Sequence, residues 1–487
     1  MNEIPNLIGF SEAKSGNLSF QTFNPFLNTK NKELYKVATR DEIETSLELA
    51  ESAFYKSHLY PKNRAEFLSL IAVELNKDKG LIKIAYCSES GLSESRFETE
   101  FNRTIDTIIK FSNLIKTENW KNIYKSNNSS TSFKKERIAL GTVLVFGASN
   151  FPLAYSTAGG DTISALACGC SVIVKSHPFH AGTSHLVAKA IINAAKKSSM
   201  PEGVFSHIQD NTHNTAQTLI LDERIKAIAF TGSIEGGRAI HDLAYNRKTP
   251  IPVFAEMGSS NPLVILPGKL KSNRNKLIND LATSVCNDAG QFCTKPGLIF
   301  YPNNNNGLAF KEEIIDQICK TPSNYMLHPS ILKKFEALKN MKQNISKKKI
   351  IEKEGHIKPM QAAQSVLCID HLLFQSHPEL QEEVFGPFCI LIKYETIKDL
   401  IKNIKLLQGQ LTFSVFGDDS ELKKHHEIIH LASIKSGRII INGLPTGVAT
   451  TKEMHHGGPY PASTDSRYTS VGTDSILRFT RPIVYQK

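Results

Sequence analysis

A chain of 487 residues exceeds the size at which a single hydrophobic core stops growing, so two or three domains are expected. Hydrophobic residues at 40% and charged residues at 22% are ordinary for a globular enzyme, and no apolar run approaches the roughly 18–20 residues that span a bilayer. The net charge of +11 raises a nucleic-acid reading, but no aromatic-interleaved basic patch accompanies it, so neither nucleic acid nor a membrane is an expected partner.

The opening Met1–Asn6 lacks the charged and apolar regions of an export signal. The eight cysteines are scattered without a paired framework, which points to a reducing, cytoplasmic setting. The first 120 residues read as mostly helical, with apolar residues at three- and four-residue spacing over Asp41–Leu59 and Lys62–Asn76. Thr117–Ser132 is polar, carries Trp120, and reads as an extended hairpin or an inter-domain excursion. From Gly141 the chain alternates. Strands are expected at Val143–Phe146, Ser171–Val174, Val204–Ile208 and Ala227–Phe230, with helices at Thr157–Cys168, Thr183–Lys197 and Thr215–Asp222 between them. This order predicts a parallel sheet with right-handed crossovers and a nucleotide site at the carboxyl ends of its strands.

A second series follows Glu256. It runs through strands at Leu263–Leu266, Leu298–Phe300, Phe388–Ile392, Phe413–Phe416 and Ile439–Ile441, with a helix at Leu277–Asn287. Between them Lys333, Lys334, Lys339 and Lys342 alternate with Phe335, Leu338 and Met341, which reads as a solvated helix face. A Gly/Pro/Ser/Thr-rich stretch, Gly457–Asp474, precedes a short strand at Ile483–Tyr485. His455 and His456 are the nearest approach to a metal motif, but adjacent loop residues do not readily turn both rings to one ion, and no metal is expected.

Three signals carry chemistry. Cys293 in Gly290-Gln291-Phe292-Cys293 and Glu256 in Phe254-Ala255-Glu256-Met257-Gly258 read as a nucleophile and base pair, since a thiol attacks well only as thiolate, or simply as a small buried hydrophobe and a strand-end cap. No Gly-x-Gly-x-x-Gly follows a strand. Instead, Thr231-Gly232-Ser233 leads into a helix, where backbone N–H groups and the Ser233 hydroxyl can meet a pyrophosphate, or where Ser233 simply caps a tight turn. Lys175 ends a strand, within reach of ribose hydroxyls.

These motifs resemble the aldehyde dehydrogenase superfamily over nearly the whole chain. The stretches Asn150–Thr162, Lys175–Thr183, Gly443–Val448 and His456–Gly472 look like the branch containing 2,5-dioxopentanoate (α-ketoglutaric semialdehyde) dehydrogenases and NADP-linked long-chain aldehyde dehydrogenases. The last two stretches replace the Pro-Phe-Gly-Gly pattern of most members. The resemblance implies an α/β fold with two Rossmann-like parallel-sheet domains and a small β oligomerisation element. Residues 1–120 and 141–257 would bind the dinucleotide, 258–469 would form the catalytic domain, and 121–140 with 470–487 would assemble a homodimer or homotetramer.

It also implies NAD(P)-dependent oxidation of an aldehyde to an acid through a cysteine thiohemiacetal and thioester. Cys293 would attack, Asn150 and the Cys293 amide would hold the oxyanion, and Glu256 would activate the hydrolytic water. Glu383 would meet the nicotinamide ribose and Phe385 would pack near the ring. NAD-preferring members often carry a glutamate three positions beyond the lysine. Here Pro178 stands there, and Lys175, Ser176 and His177 are left to meet a 2′-phosphate, which favours NADP over NAD. The expected substrate is 2,5-dioxopentanoate, oxidised to 2-oxoglutarate, with Arg467 the candidate for its distal carboxylate; medium or long-chain aliphatic aldehydes are the alternative.

Overall fold

The computed structural model describes residues 3–57, 61–117, 119–128, 131–271 and 274–487. A seven-stranded sheet runs in the order Val253–Glu256, Ile225–Thr231, Thr142–Phe146, Val172–Lys175, Phe205–Ile208, Asn6–Ile8, Ser11–Ala13. Its first five strands are mutually parallel, and the last two add antiparallel at the edge. Chain order reverses beside Thr142–Phe146, so the carboxyl ends of that strand and of Ile225–Thr231 flank a topological switch point, where ligands of such sheets bind. Val143 and Val145 enter one buried cluster and Leu144 and Phe146 another. A strand covered on both faces needs apolar residues at every position, which is why this segment reads as an unbroken run.

The second seven-stranded sheet has the order Ile351–Glu352, Ser365–Asp370, Phe388–Tyr394, Leu298–Pro302, Leu263–Ile265, Gln410–Phe416, Ser436–Ile441. All but the first are parallel, and Leu298 and Phe300 face one cluster while Ile299 and Tyr301 face the other. A third sheet is small and antiparallel: Tyr124–Asn128, Thr131–Ala139 and Thr480–Gln486, with Thr480 opposite Ala139 and Gln486 opposite Phe133. The polar hairpin expected around Thr117–Ser132 lies here, apart from residues 118, 129 and 130, which fall outside the described residues.

Two expectations change. The N-terminal region is not helical throughout: seven strands of two or three residues lie between Glu3 and Lys36, ahead of helices Arg40–Lys56, Pro61–Lys77, Lys79–Ser90 and Glu94–Lys116. The first of these helices starts at a capping box between Thr39 and Glu42, and the expected end at Leu59 lies outside the described residues. The lysine-rich helix, Pro329–Ser346, is not simply a solvated face. Lys342 is fully buried and its Nζ donates to Glu379 O at 2.6 Å and Glu382 O at 2.7 Å, while buried Lys339 bridges Glu336 and Glu352. Among the described residues no helix is long and apolar enough to cross a membrane.

Candidate active site

Cys293 sits in the loop between helix Arg274–Cys286 and strand Leu298–Pro302. The turn before it is strained: Asp288 (φ 46°), Ala289 (φ 55°) and Gly290 (φ 65°) are consecutive left-handed residues. Such a conformation costs L-residues roughly 1–2 kcal/mol each, so the surroundings must hold it. They do so from several sides. Arg96 Nε donates to Asp288 Oδ2 at 2.8 Å, Gln291 Nε2 donates to Asp288 O and Tyr325 O, and Gln291 Oε1 accepts from Leu327 N. Asn261 Nδ2 donates to Cys293 O at 2.7 Å, and Asn150 Nδ2 donates to Gln291 O at 2.8 Å.

Glu256 ends strand Val253–Glu256 and is buried. Its Oε1 lies 2.9 Å from His456 Nε2, and the same nitrogen lies 3.5 Å from Cys293 Sγ. Ser470 donates its hydroxyl to Glu256 Oε2. Burial pushes the Glu256 carboxyl up, but His456, the Ser470 bond and the charge of Arg478 outweigh it and hold the group below the usual carboxylate range. The Cys293 thiol is pushed well up by burial, then by the charges of Glu256 and Glu383, so it rests protonated. His456 and Ser470 belong to the loop at 456–472, which is pinned to the strand by Met257 N→Ala462 O at 2.8 Å and to itself by Ser470 N→His456 O at 2.9 Å. In the sequence alone His456 reads only as a metal candidate, and nothing singles out Ser470. The one signal was their place in the stretch that replaces the common family pattern.

A cavity of about 500 Å³ opens at Cys293, lined among others by Arg96, Arg103, Phe151, Tyr155, Phe292 and Val448. Arg96, Glu100 and Arg103 share one face of helix Glu94–Lys116 at i, i+4 and i+7. The charge of Arg96 is spent on Glu100 at 3.1 Å and Asp288 at 2.8 Å. Arg103 differs: its hydrogen bonds go to neutral groups, the Val448 carbonyl and the Tyr155 hydroxyl. Arg467, a candidate for the substrate carboxylate by motif position alone and otherwise a structural loop anchor, takes the anchoring role. Its side chain is 80% exposed, is bound to Asp465, and does not line this cavity.

The other expected residues gather at the carboxyl ends of the first sheet and on the loop opposite. Lys175 is buried, donates from Nζ to Asp210 O at 2.6 Å, and is held at about 8 by burial. His177 accepts from Phe179 N at Nδ1, and burial keeps its ring neutral, so toward a phosphate it offers a hydrogen bond and no charge. Gly232 N donates to Glu256 O at 3.1 Å, and Ser233 caps helix Ile234–Tyr245 by accepting from Gly236 N, which leaves its hydroxyl proton free to donate. Glu383 and Phe385 lie half-buried before strand Phe388–Tyr394. Glu383 Oε1 is a buried acceptor without a partner, the kind of atom a ribose hydroxyl satisfies. Gly258 leaves room for it: a Cβ there would stand 2.4 Å from Glu383 Oε2 and push the carboxylate aside. This donor and acceptor set fits a nicotinamide dinucleotide.

The chain is similar to known proteins in both sequence and fold. The model of the aldehyde dehydrogenase family matches residues 10–481. The chain is 37% identical to the alpha-ketoglutaric semialdehyde dehydrogenase of Acinetobacter baylyi, over 93% of this chain and 88% of the relative. It is 34% identical to alpha-ketoglutaric semialdehyde dehydrogenase 2 of Azospirillum brasilense, over 99% and 93%. In fold it is similar to betaine aldehyde dehydrogenase from Staphylococcus aureus in complex with NAD+, with a TM-score of 0.86, 18% identity and coverage of 99% and 97%. The same holds for 1-pyrroline-5-carboxylate dehydrogenase from Thermus with bound NAD, at 0.85, 18%, 100% and 93%.

Proposed function

The chain belongs to the aldehyde dehydrogenase family, as an NAD(P)-dependent enzyme that oxidises an aldehyde to an acid, and we propose that Cys293, Glu256 and Asn150 carry its reaction on 2,5-dioxopentanoate. The observation that carries this reading is the alignment of Cys293 Sγ, His456 Nε2 and Glu256 Oε1, at 3.5 and 2.9 Å. Cys293 attacks the aldehyde carbon, and the His456–Glu256 pair takes the proton that leaves the sulfur and passes it to solvent before hydrolysis begins. The oxyanion is received by the Cys293 N–H and by the second amide proton of Asn150, the first being spent on Gln291 O. Loss of one such donor typically costs about 10²–10³ in rate. A nicotinamide held beside Glu383 and Phe385 would supply the hydride acceptor that conversion of the thiohemiacetal to a thioester requires. Glu256, kept ionised by its neighbours, then draws a proton from the water that hydrolyses the thioester, a contribution of about 10²–10⁴.

Lys175, His177, Gly232 and Ser233 would hold the adenine and pyrophosphate side of the cofactor, and Glu383 with Phe385 the nicotinamide side. NADP is favoured over NAD because Pro178 stands where a repelling carboxylate would be, with Lys175 and the His177 donor available to a 2′-phosphate. The substrate reading is supported by the two relatives' names and by Arg103, a cation in the Cys293 cavity whose partners are neutral. A carboxylate displacing these weak partners gains a charge-assisted bond. Residues 1–120 with 141–257 form the dinucleotide domain, 258–469 the catalytic domain, and 121–140 with 470–487 the element that joins subunits into a homodimer or homotetramer.

Steady-state reduction of NAD and NADP with 2,5-dioxopentanoate and with pentanal tests the reading, with Cys293→Ala as the blank. Turnover that disappears in the blank and prefers the carboxylated aldehyde is expected. Arg103→Met should lose at least ten times more kcat/KM on 2,5-dioxopentanoate than on pentanal. A wild type that prefers hexanal and longer aldehydes would replace this substrate with the aliphatic alternative.

A further inference from the structure

Cys293, His456 and Glu256 bring a thiol sulfur, an imidazole nitrogen and a carboxylate oxygen within 4.8 Å of one another. Hydride-transfer chemistry does not call for that trio as ligands, yet a sulfur, a nitrogen and an oxygen on one small triangle is a donor set suited to a borderline-soft divalent ion. We propose that these three side chains bind Zn2+ reversibly, in competition with the aldehyde, and that the bound ion switches the nucleophile off.

The distances support it. Zn–S near 2.3 Å, Zn–N near 2.0–2.1 Å and Zn–O near 2.0–2.2 Å give a tetrahedron whose edges are about 3.4–3.6 Å. The Sγ–Nε2 separation is already 3.5 Å. The Nε2–Oε1 separation is 2.9 Å and must open by about 0.5 Å to reach such an edge. Glu256 is oriented for the task by Ser470 on its other oxygen. His456 Nδ1, by contrast, is buried without a partner, so nothing pins the far edge of the ring. A site with one ligand pre-oriented and another held by packing alone suits reversible binding better than a permanent structural ion. Of the three donors Cys293 lines the cavity, so water entering from that side would be the fourth ligand.

Binding releases the thiol proton to solvent, the proton that His456 Nε2 shares with Glu256 moves to the unpartnered Nδ1 or leaves, and the freed sulfur and nitrogen lone pairs become bonds to the metal. No electron changes hands. The same three atoms cannot serve the ion and the reaction together, so a chelator restores turnover in full.

The test uses the cofactor-free protein and the metal alone. Calorimetry with Zn2+ should give one equivalent bound, and Co2+ in its place should show a thiolate-to-cobalt absorption band. Cys293→Ser and His456→Asn should each weaken Zn2+ at least tenfold and abolish or shift that band. A second measurement needs no variant: Zn2+ should protect Cys293 of the wild type from iodoacetamide, read peptide by peptide, and EDTA should remove the protection. Affinity retained in both variants, or Cys293 alkylated at the same rate with and without Zn2+, overturns the proposal.

Discussion

Ser470 gives its only hydroxyl proton to Glu256, and that bond helps keep a buried carboxylate ionised. Hydrogen bonds to charged groups contribute about 1.5–3 kcal/mol. Ser470→Ala is therefore expected to lower kcat roughly tenfold or more and to move the acid limb of the pH–rate profile to higher pH, because the Glu256 carboxyl rises when a bond to its charged form is lost. The stability linkage has the same sign. A carboxyl held below its unfolded value of about 4.3 stabilises the fold above that pH and loses the contribution as pH falls, and Ser470→Ala shrinks it. Cys293 and Glu256 were legible in the sequence because each lies in a local pattern that names its chemistry. His456 and Ser470 were not, because their roles exist only across the fold, 163 residues from Cys293 and 214 from Glu256. Arg103 escaped for a similar reason: a helix face with Arg96, Glu100 and Arg103 reads as surface until the cavity over it is known.

The turn that aims Cys293 and the segment that carries Glu383 are both fixed from outside themselves. Gly290 is left-handed, and a Cβ on it would stand 2.3 Å from Gly386 O, so Gly290→Ala meets both a strained backbone and a neighbouring main chain. A loss of about 2–4 kcal/mol in unfolding free energy is expected, readable in chemical denaturation. The residues 379–388 are held by two buried ammonium groups: Lys342 on Glu379 O and Glu382 O, and Lys295 on Val384 O and Phe388 O. Lys342→Met leaves two carbonyls without donors, and KM for the cofactor should rise several-fold more than kcat falls. Burial brings Lys342 down to about 7, against about 10.4 unfolded, so between these values the unfolded chain holds more protons and the wild type gains stability as pH rises. The urea midpoint of wild type relative to Lys342→Met should accordingly increase from pH 7 to pH 9. Strong strands such as Thr142–Phe146 were readable because both faces are buried. The strands between Glu3 and Lys36 were not, since two or three residues carry no period, and their pairing depends on distant partners such as His207 opposite Leu7. Lys342 was misread because helical spacing shows which residues share a face and not what covers it.

Across the whole molecule, the third sheet joins Tyr124–Asn128 and Thr131–Ala139 to Thr480–Gln486, and it leaves Val484 at 54% and Tyr485 at 44% exposed. Apolar side chains on an uncovered sheet are where a second subunit is expected. Light scattering should give a mass of two or four chains, and removing residues 480–487 should reduce it to one chain or cause aggregation from the bared strand Thr131–Ala139. The loop at 456–472 sets a different kind of constraint, one of timing. Glu256 is synthesised 214 residues before Ser470, which at 5–20 residues per second is roughly 10–40 s on the ribosome. Through that interval the Glu256 carboxyl lacks both His456 and Ser470. In an emerging chain that carboxyl therefore stays without the two groups that fix its position and charge until the loop at 456–472 has been made.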